Sequence, residues 1–340
     1  MTHEFIHIID AFKAAKLEGQ KSVLVTVVDL DGSSYRKPGV RMLIHQNNTM
    51  VGVVSGGCVE KEILRQSQSV FKTEKPKIIT YDGRFRLGCE GFLFILVEPF
   101  NPEEEVLQAF DTCIQERNDF DITSRYYREE GVFDDIGTYV TIKGFEYSLH
   151  QSTCIEALKT SKSVVFSQTM QPQFRLMIFG TEHDASQLCQ FAALTGWDVN
   201  LIAKPSETKT IKDFPGASKF ITTEPEQLML SFEDTQTAVV IMTHSFVNDL
   251  KCLLALKDCR PVYIGLLGPV HKRENLLSKL LEYYPNIDDS FFERIYGPAG
   301  LNIGSVTPQE IAISIISEIL TVSRHQTPMS LKEKTGKIHV

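Results

Sequence analysis

A chain of 340 residues is too long for one compact core, so two domains are expected. Hydrophobic residues make up 42% of it and charged residues 23%, the balance of a soluble globular protein. The formal net charge of −8 argues against a nucleic-acid partner, and no apolar run approaches the roughly 20 residues that a membrane span needs.

The first residues, Met1-Thr2-His3-Glu4-Phe5, lack the basic-then-apolar layout of a signal peptide, which gives a cytoplasmic reading. Seven cysteines are scattered without C-x-x-C spacing, so neither a disulfide framework nor a structural zinc site is expected.

In chain order, Phe5, Ile8, Ile9, Phe12 and Leu17 predict a helix over 3–18. The β-branched run at 23–28 predicts a buried strand, and 41–45 with 49–54 predict a hairpin around Gln46-Asn47-Asn48. A helix is expected at 60–68, strands at 77–81 and 92–98, a break at Pro99 and Pro102, and a helix at 103–117. Strands at 124–127 and 137–143 complete a mixed α+β region, residues 1–167. The polar, proline-containing stretch 168–174 reads as a linker.

Strand and helix then alternate: strands at 175–179, 199–203, 237–242 and 261–266, helices at 183–194, 245–255 and 271–283. That pattern predicts a Rossmann-like doubly wound parallel sheet over 175–324, so the fold class is α/β. Thr307, Pro308 and Glu310 form the start signal of a last helix, with Ile311, Ile315, Ile319 and Val322 on its apolar stripe. The tail 325–340 is polar and is expected to fray.

Chemistry concentrates in three segments of the first half: Gly32-Ser33-Ser34-Tyr35-Arg36-Lys37-Pro38-Gly39-Val40-Arg41, Ser55-Gly56-Gly57-Cys58-Val59-Glu60, and Leu87-Gly88-Cys89-Glu90-Gly91. Glycine lets a ligand approach the main chain, and Cys58 opens a helix whose positive end favours thiolate. Cys58 and Cys89 are therefore the candidate reactive residues, and Ser33, Ser34, Arg36, Lys37 and Arg41 the candidate anion contacts, with Gly56 and Gly57 as backbone approaches. Taken alone, each cysteine is equally readable as a small buried hydrophobe. Cys113, Cys154, Cys189, Cys252 and Cys259 lie in helical or strand patterns and are expected to be buried.

In the second half, Gly180-Thr181-Glu182-His183 stands where a dinucleotide fingerprint belongs, but Glu182 replaces the second glycine. The acidic residue at the end of the second strand is also missing, with Ala203-Lys204 in its place. Gly180, His183, His244, Gly265 and Gly268 follow strands and are candidate ligand-loop residues; His244 and Asp249 could converge.

Together these motifs resemble the XdhC/CoxI family, accessory proteins of molybdenum hydroxylases such as xanthine dehydrogenase. The resemblance runs over nearly the whole chain and includes Tyr263-Ile264-Gly265-Leu266-Leu267-Gly268 and Thr307-Pro308-Gln309-Glu310-Ile311-Ala312. It implies a non-catalytic insertion chaperone that binds the molybdenum cofactor as molybdopterin or its dinucleotide form. It further implies help from a cysteine desulfurase in sulfurating the cofactor, delivery to an apo-hydroxylase, and a homodimer. Cys58 would then meet the molybdenum. Glu182, Ala203, Glu90 and Pro269 depart from the family pattern, the first two counting against a nucleotide moiety. Two competing readings are an NAD(P)-linked oxidoreductase built on the Rossmann-like half and a thiol redox protein using Cys58 and Cys89.

Overall fold

A computed structural model describes residues 2–32, 37–54, 57–82, 91–228 and 235–335, with Cys58 described in its backbone alone. The chain divides into two compact units, Met1–Pro172 and Gln173–Val340.

The first unit contains α1 (Thr2–Leu17), β1 (Ser22–Gly32), β2 (Arg41–His45), β3 (Met50–Gly52), α2 (Cys58–Thr73), β4 (Lys77–Asp82) and β5 (Gly91–Phe100). It continues with α3 (Glu104–Gln115), β6 (Phe120–Tyr126), β7 (Gly131–Val132), β8 (Gly137–Ile142), β9 (Phe145–Ser148), α4 (Ile155–Thr160) and β10 (Val164–Met170). Two antiparallel sheets form, in the orders β3-β2-β1-β5-β4-β7 and β10-β6-β8-β9. Side chains alternate along β1. Val23, Val25 and Val27 join Ile63 and Val70 of α2 in one core. Leu24 joins Phe5, Ile8 and Phe12 of α1 and Phe110 of α3 in another.

The stretch 168–174 is not all linker: Gln168, Thr169 and Met170 belong to β10 and pair with Ile122, Asp121 and Phe120. Pro99 does not break β5 either. Pairing with β4 stops at Val97, so at Pro99 the strand has β1 alone as neighbour and a missing N–H is tolerated.

Polar groups bridge the two sheets. Thr138 on β8 donates from its N–H and its hydroxyl to the Glu98 carboxylate on β5, at 2.8 and 2.5 Å. Its hydroxyl also meets that of Ser124 on β6 at 2.8 Å.

The second unit contains β11 (Arg175–Phe179), α5 (His183–Leu194), β12 (Asp198–Ala203), β13 (Ala217–Thr222), β14 (Thr237–Ile241) and α6 (Phe246–Leu256). After these come β15 (Tyr263–Leu266), α7 (Val270–Tyr283), α8 (Asp289–Glu293), β16 (Ile295–Tyr296) and α9 (Pro308–Ser323). Its sheet is parallel, in the order β13-β12-β11-β14-β15-β16, the Rossmann arrangement with its switch point between β11 and β14. One face packs Leu188 and Ala192 of α5 and Ile315 and Ile319 of α9. The other packs Leu253 and Leu256 of α6 and Leu276 and Leu280 of α7. Helix α9 starts as read from the sequence. The Thr307 hydroxyl accepts from the Glu310 N–H, and the Glu310 carboxylate accepts from the Thr307 N–H at 2.9 Å.

Burial pushes the Glu98 carboxyl up from 4.5 to about 7, although Thr138 and the charge of Arg41 pull the other way. The folded protein therefore holds a proton that the unfolded chain releases near pH 4.5. Stability from this group is complete below pH 4.5, falls as pH rises, and is gone above about pH 7. Thermal unfolding across that window should show a decline in wild type that is flatter in Glu98→Gln. Identical profiles would remove Glu98 as the source.

Candidate functional site

Strand pairing brings the three glycine- and cysteine-bearing segments toward one end of the larger sheet. Strand β1 ends at Gly32 opposite Gly91, where β5 begins, and β4 ends at Asp82 opposite Phe92. Strand β2 begins at Arg41, and β3, which leads to α2, ends at Gly52 opposite Met42. Residues 33–36, 55–56 and 83–90 connect these strand ends and lie outside the described residues, so Ser33, Ser34, Arg36, Gly56 and Cys89 have no structural account.

Cys58 is the first residue of the 16-residue helix α2, at the end that carries the helix's partial positive charge. Gly57 caps that helix at φ 110, a conformation that suits glycine, and its N–H donates to the Glu60 carboxylate at 2.9 Å. A Cβ built at Gly57 would meet nothing within 4 Å among the described residues. Lys37 is exposed.

Arg41 is a correction. The sequence offered it as an anion contact at the start of a strand; it does begin β2, yet it is only 6% exposed. Its Nη1 donates to the Gly39 carbonyl at 2.9 Å and to Gln168 Oε1 at 2.8 Å. Burial lowers its pKa to about 10, which leaves it charged at neutral pH. Cys154 is a second correction. It is exposed at the N-cap of α4, whereas Cys113, Cys189, Cys252 and Cys259 are buried as expected.

In the second unit a cleft of about 70 Å³ opens at the carboxyl ends of β11 to β14, where open α/β sheets bind ligands. Gly180, Glu182, Lys204, Thr223, Glu224, Asn248 and Cys252 line it. Gly180 has φ 131, and a Cβ there would sit 2.4 Å from the Met242 carbonyl oxygen. No side chain would fit at this turn. Lys209 donates to the Thr181 carbonyl at 2.5 Å and lies 3.9 Å from the Glu182 carboxylate, and the Thr181 hydroxyl donates to Glu207. A diphosphate in this cleft would approach the Glu182 carboxylate. Burial also pushes the Cys252 thiol up, which keeps it neutral.

The other predicted loop residues do not meet in this cleft. His183 is exposed at the start of α5, and His244 Nε2 lies 3.8 Å from Asp184. Asp249 is engaged by other residues than His244. It is 1% exposed, accepts from Thr243 at 2.5 Å, and forms a buried ion pair with Lys272, which donates onward to the Leu267 carbonyl. Gly265 is packed within β15 against Tyr263 and Ala299, and Gly268 against Lys272. Sequence reading missed Lys209, Glu207, Lys272 and Gln168. Each is a polar residue outside any motif, and its partner comes from a distant stretch of chain.

Fold and site thus define a two-unit α/β protein whose Rossmann-type turn carries Glu182 in place of a glycine and whose first unit turns the strand ends flanking its glycine- and cysteine-bearing segments toward one end of a sheet. The profile described as "XdhC and CoxI family" matches residues 15–82, and the one described as "XdhC Rossmann domain" matches residues 176–319. A Bacillus subtilis (strain 168) protein, named as a probable xanthine dehydrogenase subunit, is 30% identical over 324 residues, 90% of this chain and 94% of the relative. The chain belongs to the XdhC/CoxI family. The molybdenum cofactor insertion chaperone PaoD of Escherichia coli (strain K12) is 23% identical over 321 residues, 92% of this chain and 86% of PaoD. A crystal structure of a xanthine dehydrogenase from Bacillus halodurans matches with a TM-score of 0.76 and 25% identity, over 94% of this chain and 96% of that one. Among the described residues no helix is long and apolar enough to cross a membrane.

The Asp249–Lys272 pair fixes the loops that follow β14 and β15. Lys272→Met would leave a buried carboxylate without its counter-charge, a change that costs about 3 kcal/mol or more. Urea unfolding should show that loss, and the double variant Lys272→Met/Asp249→Asn should recover part of it. A single variant as stable as wild type would show that the pair does not hold this edge.

Proposed function

We propose that the protein is a maturation factor for a molybdenum hydroxylase such as xanthine dehydrogenase. It binds the molybdenum cofactor, as molybdopterin or its dinucleotide form, takes part in its sulfuration with a cysteine desulfurase, and delivers it to the apo-enzyme. It works in the cytoplasm, as a homodimer and without turnover of its own. The observation that carries this reading is the similarity to PaoD along nearly the whole chain, since that relative is named a molybdenum cofactor insertion chaperone.

The donor set at the motif end of the first unit fits such cargo. A cysteine at the first position of a helix is a soft sulfur donor of the kind this metal favours, Gly57 beside it carries no side chain, and Lys37 is an exposed cation in the same motif. When bound, the cofactor supplies the metal centre and its oxo or sulfido ligand. The chain's own contribution is narrower. The amino end of α2 favours Cys58 as thiolate, and Glu60 holds Gly57 in the conformation that starts the helix. Cys89 is proposed as the second sulfur of the site.

An NAD(P)-linked oxidoreductase is disfavoured by the turn at Gly180, where the Glu182 carboxylate lines the cleft that a diphosphate would enter. Titration with NADH or NADPH should give no saturable change in nicotinamide fluorescence, and micromolar saturation would restore that reading. The main test is expression in a host that makes molybdopterin, followed by assay of bound molybdenum and of the oxidised pterin fluorophore. Stoichiometric loading is expected for wild type, with clear loss in Cys58→Ala. Equal loading of both would take Cys58 out of the site, and an unloaded wild type would overturn the reading.

A further inference from the structure

Arg41 is buried in a way that packing alone does not explain. It is 6% exposed, its Nε and Nη2 have no hydrogen-bond partner among the described residues, and the Phe5 ring lies 5.9 Å from its guanidinium carbon. Glu98 acts on it only through a longer-range electrostatic attraction. A buried charge with unsatisfied donors is destabilising relative to an apolar residue of similar size. The groups it does reach are informative. Both bonds come from Nη1, one to Gly39 two residues earlier and one to Gln168 on β10, 127 residues later.

Gly39 is held from several sides. Its N–H donates to the Val27 carbonyl at 2.8 Å, and the next residue, Val40, accepts from the Val27 N–H at 3.0 Å. Its φ is 97, and a Cβ there would sit 2.6 Å from Gln168 Oε1. Glycine at 39 therefore leaves the space in which the Gln168 amide meets the guanidinium. On the far side of the same residue, a Cβ on Gly52 would sit 2.8 Å from the Arg41 carbonyl oxygen. Gly52 is the last residue of β3, on the path to Gly57 and α2. Arg41 thus stands between the turn at 37–39 and the strand that leads to Cys58, touching the first with its side chain and abutting the second with its backbone.

We propose that Arg41 is a positioning residue: with Gln168 and Gly39 it locks the turn at 37–39 to strand β10, and so fixes where Lys37 stands relative to the start of α2. It does not touch the cargo. The assignment of cargo rests on the maturation reading; the lock itself does not. A fixed turn spares the binding step the ordering of these residues, and preorganisation of this kind appears as affinity.

The test uses the full-length protein with Arg41→Lys, Gln168→Leu, Gln168→Glu and the Arg41→Lys/Gln168→Leu double variant. The first readout is hydrogen exchange of the backbone amides at 37, 39 and 40 in the free protein. The second is molybdopterin loading in the host described above. Arg41→Lys and Gln168→Leu should each speed exchange about tenfold and lower loading, and the double variant should be no worse than the poorer single, because both break one interaction. Gln168→Glu keeps the acceptor and should behave as wild type.

Exchange at the wild-type rate in both single variants would overturn the proposal. So would loading lost in Arg41→Lys but intact in Gln168→Leu, the pattern of a direct contact with the cargo. Faster exchange in the variants, together with a wild type that loads no molybdopterin, would leave the lock standing and sink the maturation reading alone.

Discussion

Strand β1 is covered on both faces, and the layout of the first unit follows from that constraint. Every residue from Ser22 to Val28 is buried. Alternate side chains must satisfy α2 on one side and α1 with α3 on the other. A slip of one residue would exchange the two sets and set each against the wrong partner, so the register is strongly specified. With the register set, Gly32 faces Gly91, and the places where the chain leaves the sheet are set with it. The convergence of the motif-bearing segments is a consequence of core packing, before any ligand is considered.

The two units manage polarity differently. In the second, each face of the sheet carries a core of aliphatic and aromatic side chains, and the buried Asp249–Lys272 pair sits at the sheet's carboxyl edge. In the first, polar residues cross from sheet to sheet through the interior, Glu98 to Thr138 and Arg41 to Gln168. Low local polarity makes such contacts strong when satisfied and destabilising when not. An apolar filling would hold two sheets together with less risk, so the polar bridges specify which strand meets which.

What could be read from the sequence was what local pattern controls. Helix α5 runs over the residues its periodicity marked, and α9 begins at the capping residues that signal it. The parallel sheet followed from strand–helix alternation. Strand β13 was missed because its residues, Ala217 to Thr222, are half-exposed or exposed and carry no apolar run. Strand β10 was taken in part for linker because Gln168 and Thr169 are polar, although their partners on β6 lie more than forty residues away. Arg41 was read correctly as the start of a strand, but its burial was not legible. Beside Arg36 and Lys37 it looks like another anion contact, and its partner Gln168 lies 127 residues away on a strand the sequence did not mark. The turn at Gly180 was half legible: Glu182 announced a defect, but nothing local announced that Lys209 would bond the Thr181 carbonyl beside it.

The exposed thiol of Cys154 bears on how sulfur chemistry in this protein is read. Four other cysteines, Cys113, Cys189, Cys252 and Cys259, are enclosed, whereas Cys154 faces solvent at the start of α4. An alkylating reagent or a persulfide donor added to the intact protein will meet Cys154 regardless of what happens at the glycine-flanked cysteines. A whole-molecule count of modified sulfur therefore mixes a bystander with the residues of interest. Only peptide-level assignment, or a background in which Cys154 has been replaced by serine, separates them.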